Sequence, residues 1–434
     1  MRLLLRFSLR LRLWPGIALA LICALATGCM FHHPLTGILP GAPDSASEAE
    51  LSALALLGAA ASVSAAASSC SPDPAGVYYS GQQVTLSAGL ASATVHYEIG
   101  GSAAGCTSTL FTAPLAIPAQ ALTTISAVSC VDGVATGDPI TESYLVAPVL
   151  TGSLDTPGVG LGVGLSGTVA YFADFSGADV RIIDVSNPAS PAELATRSPS
   201  GNARNISVSG SRLFVATGGT GFFYYDISTP AAPVQIAGAD PGGIVEDVAG
   251  VGSTAYLANG FTGDDLSIYD VTAGPALQGG YDANTAQGVF VSDGVAYLAQ
   301  RGAGVGAIDV TNPLAPALLH SAATTNALGV YVAGDRLYVA DGGGGLRIFA
   351  LALNLLGSDS GAGDARRVFA RDGIVYVADG TNGLRIVDAT NPAAPALLAT
   401  YAIAGDTIND VVVAGSYAYI ASSDAGLVIL QISK

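Results

Sequence analysis

The chain has 434 residues, 50% of them hydrophobic and only 11% charged, with 55 glycines and 22 prolines. That length allows two or three domains with cores of their own, and so much apolar surface excludes a chain disordered throughout. A net charge of −17 repels nucleic acid and anionic headgroups, which excludes both as electrostatic partners.

Residues 1–28 have the parts of an export signal. Arg2, Arg6, Arg10 and Arg12 form a positive start, Ile17 to Ala26 an apolar run, and small residues then precede Cys29. The ending Leu25-Ala26-Thr27-Gly28-Cys29 resembles a bacterial lipobox, with Ala26 where leucine is usual. The resemblance implies cleavage before Cys29 and acylation of its side chain. Each buried methylene contributes about 0.8 kcal/mol, so several acyl chains give a stable membrane anchor. No acidic residue follows Cys29, and by resemblance to Gram-negative sorting this implies the outer membrane and cell surface. An ordinary cleaved signal with an incidental cysteine is the alternative. Removing the leader leaves 12 basic against 33 acidic residues, a net of −21 that keeps an exported protein soluble.

Residues 29–69 read as a flexible tether. "PGAPDSASEAE" is turn-rich, and the apolar part of the next stretch, Leu51 to Ala67, is mostly Ala and Ser at the lower length limit for a membrane span. His32 and His33 lie in this spacer without further ligands.

From residue 70 to 146 the pattern changes to alternating strands, such as Val84-Thr85-Leu86-Ser87 and Thr124-Ile125-Ser126-Ala127-Val128. The segments "QQVTLS", "TVHYEIGGS", "FTAPLAIPA" and "LTTISAVSCVDGVATG" resemble the Ig-like module at the C-terminus of chitobiases and β-hexosaminidases. The resemblance implies an accessory β-sandwich rather than a catalytic unit. Cys106 and Cys130 suit a disulfide in an oxidising compartment. Closing that loop would contribute roughly 3 kcal/mol. Cys70 pairing with either of them is the open alternative, since three cysteines do not fix connectivity.

From residue 147 to 434 one phrase recurs. "DVRIIDVSNPASPAELATR", "GFFYYDISTPAAPVQIAGA", "GVGAIDVTNPLAPALLHSA" and "GLRIVDATNPAAPALLATY" share it; the copies from Asp265 and Gly345 have lost the Asn-Pro, and that from Gly426 stops at the C-terminus. The aromatic anchors Tyr171, Phe214, Tyr256, Tyr297, Tyr338, Tyr376 and Tyr419 are spaced by 43, 42, 41, 41, 38 and 43 residues. Seven copies of four strand-length runs at this period predict a seven-bladed β-propeller, in an all-β chain. Proline cannot donate to a ladder, so the Asn-Pro phrase belongs to the turn between third and fourth strands. Asp184, Asp226, Asp270, Asp309 and Asp388 precede that turn and are expected to accept its N–H groups. The seventh copy lacks a fourth strand, and "APVLTGSLDT" before the first reads like one. Residues 148–154 are therefore expected to complete the last blade and close the ring, removing exposed edges. The fifth blade's outer strand, around "LALNLLGSDSGAGDA", has no clear match. The runs "VRIID", "LRIVD" and "LVILQ" resemble the LVIVD repeat of bacterial and archaeal surface proteins, which implies a cell-surface propeller.

Nine or ten residues before each anchor lies a pair leading into the first strand: Leu161/Gly162, Arg204/Asn205, Glu246/Asp247, Gln287/Gly288, Leu328/Gly329, Arg366/Arg367 and Asn409/Asp410. In a propeller these pairs converge on the channel mouth, together with the turns between second and third strands. Repeats that diverge only there suit a binding mouth, although wet channel mouths are polar in any case. The candidate residues are Arg204, Asn205, Glu246, Asp247, Gln287, Arg366, Arg367, Asn409 and Asp410. Asn205, Glu246, Asp247 and Asp410 are oxygen donors that calcium could use, as in calcium-dependent propeller hydrolases of the lactonase kind. Arg366 and Arg367 would oppose a dication there, and could instead pair with a ligand carboxylate or with Asp247 and Asp410. His96 and His320 lie elsewhere, and no G-x-S-x-G, H-E-x-x-H or P-loop occurs, so no catalytic residue and no cofactor is expected. The expected function is a monomeric, lipid-anchored surface protein that binds a protein or glycan of the cell envelope. A calcium-dependent hydrolase and a periplasm-facing assembly scaffold are the alternatives.

Overall fold

The structure, a computed structural model, describes residues 69–71, 83–88, 90–116, 122–145, 148–177, 179–260, 264–282 and 285–432. The signal, Cys29 and all of the tether but its last residue lie outside the described residues. Every regular element among the described residues is a β-strand.

The N-terminal part consists of two small sheets. Gln83–Ser87 sits between Ser69–Ser71 and Leu115–Ala116, while Leu122–Val131 pairs with Thr94–Ile99 and Ile140–Leu145. Val84 and Leu86 of the first sheet share a core with Val95, Ile125, Ala127 and Tyr144 of the second. Cys106 and Cys130 form the disulfide, with Cα atoms 5.8 Å apart, so Cys70 pairs with neither.

The rest of the described chain is seven four-stranded antiparallel sheets. Six are continuous, spanning residues 160–197, 205–239, 244–281, 288–322, 329–359 and 367–401. The seventh contains Ile408–Ala414, Tyr417–Ser422 and Gly426–Gln431, and its outer strand is Val149–Leu154 from the other end of the repeat region. The fifth sheet also has its outer strand, Leu355–Asp359, although the sequence phrase for it is lost.

Successive sheets pack face to face, and each neighbouring pair shares one hydrophobic cluster. Sheets one and two bury Tyr171, Ile182, Leu213 and Tyr225 together. Sheet seven meets sheet one in the same way through Tyr419, Leu427, Ile429, Phe172 and Ile183. Second and third strands are covered on both faces, which is why they read as short unbroken apolar runs such as "AYFAD". Outer strands such as Ala192–Arg197 are half exposed.

The turns after the third strands do more than stop a strand. Asp184, Asp226, Asp270, Asp309 and Asp388 each accept the N–H two residues on, at 2.8–2.9 Å. The turn so held docks on the outer strand of the preceding sheet. A Cβ at Gly152, Gly279 or Gly357 would overlap the carbonyl oxygen of Pro188, Pro313 or Pro392 of the following sheet. At the junction of sheets one and two, Arg197 Nε donates instead to the carbonyl of the turn's second proline, Pro233, at 2.7 Å. Where the following sheet has no Asn-Pro, the equivalent residue carries a side chain: Ala195, Ala237, His320 and Ala399. Gly152 belongs to the strand from the other chain end, so the closing junction uses the same contact as the internal ones.

Candidate functional site

The first member of all seven leading pairs lines one cavity of about 340 Å³ at the ring axis: Leu161, Arg204, Glu246, Gln287, Leu328, Arg366 and Asn409. One backbone device aims them. In sheets one, three and seven, Leu161, Glu246 and Asn409 are the extra residue of a β-bulge. In the other four, the N–H groups of Arg204, Gln287, Leu328 and Arg366 donate to Ala216, Ala299, Ala340 and Ala378. Each of those alanines also pairs in register with the following residue, so two residues again oppose one. A bulge turns its extra side chain out of the strand's ordinary alternation.

The second members form a layer beneath the cavity. Three are glycine, and they leave room for larger neighbours: a Cβ on Gly288 would stand 3.0 Å from Arg367 Nη1, and one on Gly162 2.5 Å from Asn205 Oδ1. Asn205, Asp247 and Asp410 are buried. Asp247 accepts the N–H of Val248 at 2.8 Å and, from the next sheet, that of Val289 at 3.1 Å; Asn205 Nδ2 also donates to it. Asp410 likewise accepts from Val411 at 2.8 Å and from Val163 of the first sheet at 3.0 Å. Arg367 crosses the axis, donating to the Leu328 carbonyl at 2.8 Å and standing 3.6 Å from Asp247. Burial pushes the Asp410 carboxyl up to about 6, against the pull of Arg367. Burial also raises Asp247. Phe290, Tyr331 and Phe369, from the first strands of three successive sheets, pack ring against ring in tilted pairs with centroids 4.8 Å apart.

The sequence placed nine polar candidates together at the mouth, and the structure corrects this. Arg204, Glu246, Gln287, Arg366, Arg367 and Asn409 line the cavity, whereas Asn205, Asp247 and Asp410 lie under it. The bulge turns the first member of each pair to the cavity and leaves Asn205, Asp247 and Asp410 on the other side, while the long Arg367 side chain reaches the cavity from the layer below. At the mouth, Arg204 Nη1 lies 2.6 Å from Glu246 and Arg301 Nη2 lies 3.6 Å from it. Arg366 forms a fork on Asp364, at 2.9 and 2.8 Å, and donates to Asn409 Oδ1 at 2.6 Å. The Arg204 guanidinium also lies 5.3 Å over the Phe175 ring centroid.

Two mouth residues escaped the sequence reading, Arg301 and Asp364. Arg301 starts the turn between second and third strands of sheet four, at φ 51°. The turns "TGGTG", "DGGGG" and "DGTNG" of sheets two, five and six have Gly218, Gly342 and Gly380 in that position, at φ 66°, 52° and 54°. In "QRGAG" an arginine replaces a glycine, and that exchange was the available signal. Asp364 lies two residues before Arg366, in a loop that repeat alignment does not constrain.

Among the described residues no group of three or more His, Cys, Asp or Glu is placed to hold a metal ion.

The LVIVD repeat family matches residues 157–196, 200–237, 283–324, 325–349, 362–403 and 404–434, together just over half of the chain. The third sheet, which lacks Asn-Pro, falls in the gap. The chitobiase/β-hexosaminidase C-terminal domain family matches residues 73–141. Among solved structures, the WD40 repeats of RRP9 are similar at 9% identity and a TM-score of 0.54, covering 66% of this chain and 99% of that one. That likeness shows a propeller-like fold. A computationally designed protein, Ika8, is similar at 8% identity and a TM-score of 0.49, covering 65% of this chain and 99% of that one. No curated protein matches the chain. With its repeats matched along the ring of sheets, this chain belongs to the LVIVD-repeat family.

Proposed function

We propose that the chain is a lipid-anchored cell-envelope protein in which a seven-bladed propeller, closed by residues 149–154, presents its axial mouth to a glycan or protein ligand. One observation carries the reading: the repeats agree in strands, clusters and turns, and diverge at the seven residues that a bulge turns into one cavity. A rigid scaffold with variable residues at a common opening is how repeat proteins carry a site. The N-terminal Ig-like sandwich is an accessory module between tether and propeller, and Cys29 is the acylated residue. The protein acts as a monomer and as a binder rather than an enzyme.

A calcium-dependent site needs carboxylate oxygens able to turn toward a cation. Asp247 and Asp410 direct theirs to backbone N–H groups, with Arg367 nearby. Calcium titration followed by calorimetry checks this, and stabilisation by calcium would favour the hydrolase reading instead.

The test of the mouth uses the full chain in mild detergent on an array of glycans and envelope proteins. The expected result is retention by the wild type and loss in Leu328→Trp, with the thermal midpoint unchanged. Equal retention by both would place binding elsewhere. For the anchor, Cys29→Ser is expected to move the chain from the membrane to the soluble fraction, and an unchanged distribution contradicts acylation there.

A further inference from the structure

We propose that the mouth receives a carboxylate-bearing sugar of the uronate type, its carboxylate held by the guanidinium groups of Arg204, Arg301 and Arg366. This rests on the reading of the mouth as the binding face and names the class of ligand.

Positive charge is concentrated here: the chain carries a net −17, yet of the eleven arginines beyond residue 28, four line this one cavity. The side chains of Arg204 and Arg301 are 29% and 34% exposed, against 7% for Glu246 behind them, while Arg366 and its partner Asp364 are equally exposed, at 37% and 38%. The cations therefore face the opening, and the carboxylate that positions two of them is withdrawn from it. Guanidinium forks match the planar two-oxygen geometry of a carboxylate.

Arg301 has a left-handed backbone conformation where three sibling turns have glycine. A Cβ crowds the following carbonyl oxygen in that conformation, which costs free energy that glycine does not lose. A residue held at such a cost at the rim of a cavity points to use of its side chain.

The carboxylates beside the arginines separate a sugar acid from a phosphate. Glu246 and Asp364 stand next to the guanidinium groups at the cavity. A multiply charged anion would be repelled by both, whereas a singly charged ligand rich in hydroxyls finds acceptors in them. Gln287 Oε1 is buried at the cavity without a hydrogen-bond partner among the described residues, an acceptor suited to a sugar hydroxyl. Leu161 and Leu328 supply apolar wall for the C–H face of a ring. The volume is at the small end for a ligand pocket, room for about one or two sugar rings. Arg367 reaches from the Leu328 carbonyl toward Asp247 at the base of the cavity, which suits entry of a chain end rather than a threaded chain.

The test is calorimetric titration of the full chain in detergent with galacturonate and glucuronate trisaccharides, their carboxyl-reduced counterparts, tri-glutamate and inorganic phosphate. Binding of a uronate trisaccharide is expected, at least tenfold tighter than its reduced form. Arg204→Gln and Arg366→Gln should each weaken it tenfold or more. Arg301→Gly should weaken it while the thermal midpoint holds or rises, an outcome that a structural role for Arg301 would not give. No binding of either uronate, equal binding of the reduced sugar, or preference for phosphate or tri-glutamate overturns the proposal. A neutral glycan retained on the array and blocked by Leu328→Trp would overturn it too, while leaving the mouth as the binding face.

Discussion

At the outer rim, Asp184, Asp226, Asp270 and Asp309 lie near the surface, and each accepts an N–H from its own turn. At the axis, Asp247 and Asp410 are buried and reach across to the N–H of a neighbouring sheet. The two sets shift in opposite directions. Hydrogen bonds to Ser186, Ser228, Thr272 and Thr311 hold the rim carboxyls below the ordinary aspartate value, while burial raises the axial ones. A carboxylate repeated with the same partner in sheet after sheet is part of the scaffold. One that occurs at two of seven equivalent positions, where the other sheets have Gly, Asn or Arg, belongs to what the scaffold carries.

The largest expected effect breaks the ring on which both regions depend. Deleting residues 147–156 removes the outer strand paired with Gly426–Gln431 and exposes an edge. A loss on the order of 5 kcal/mol is expected, and with it a thermal midpoint lower by roughly 10 °C or more. Scanning calorimetry checks this, and an unchanged midpoint would mean that the ring does not need its closing strand.

A smaller break falls between neighbouring sheets at the rim. Gly357→Ala would drive a methyl group into the Pro392 carbonyl and should cost about 1–3 kcal/mol. Gly343→Ala, whose added Cβ would come no nearer than 3.9 Å to the Gly363 oxygen, is the neutral control. Equal midpoints for the two variants would remove the docking contact from the account.

Acid distinguishes rim from axis. Asp410 has a folded value of about 6, above the ordinary 3.8, so between those values the folded protein binds more protons than the unfolded chain. Its contribution therefore falls as pH rises from about 4 to about 6 and is recovered on acidification, on the order of 1–3 kcal/mol. The rim aspartates act in the opposite sense: their contribution is present above 3.8 and is lost as pH falls through their lowered values. Thermal midpoints from pH 7.5 down to 3 should rise to a maximum near pH 4–5 and then fall. Asp410→Asn should flatten the rising part alone. The smallest effect is expected from Asp388→Ala, which removes the bonds from Thr390 N and Oγ1 in one turn. It should lower the midpoint slightly and leave ligand retention unchanged.

The sequence made the scaffold legible because its cause is local and repeated. Tyr and Phe anchors, Asn-Pro turns and the orphan strand before Tyr171 fixed seven sheets and their closing junction. Counting back from the anchors also found the seven mouth positions. It could not tell which of two adjacent residues faces the opening, because a bulge decides that and bulges leave no composition signal here. Pairing of Arg367 with Asp247 stood among the sequence alternatives, but the choice depends on the path of a long side chain past Gly288 and Gly329. The fifth sheet's outer strand formed without its phrase because Leu346–Ala350 still offered an edge to pair with. Arg301 was visible as an arginine among glycines, but only an alignment of turns rather than strands would have exposed it.

The contrast between repeated scaffold and divergent axis is tested most directly by Arg301→Gly, which makes one turn match its siblings. Thermal midpoint and retention on the glycan and protein array would be measured for the same preparation. The account predicts an equal or higher midpoint with retention at least tenfold weaker. A lower midpoint with retention intact would contradict it.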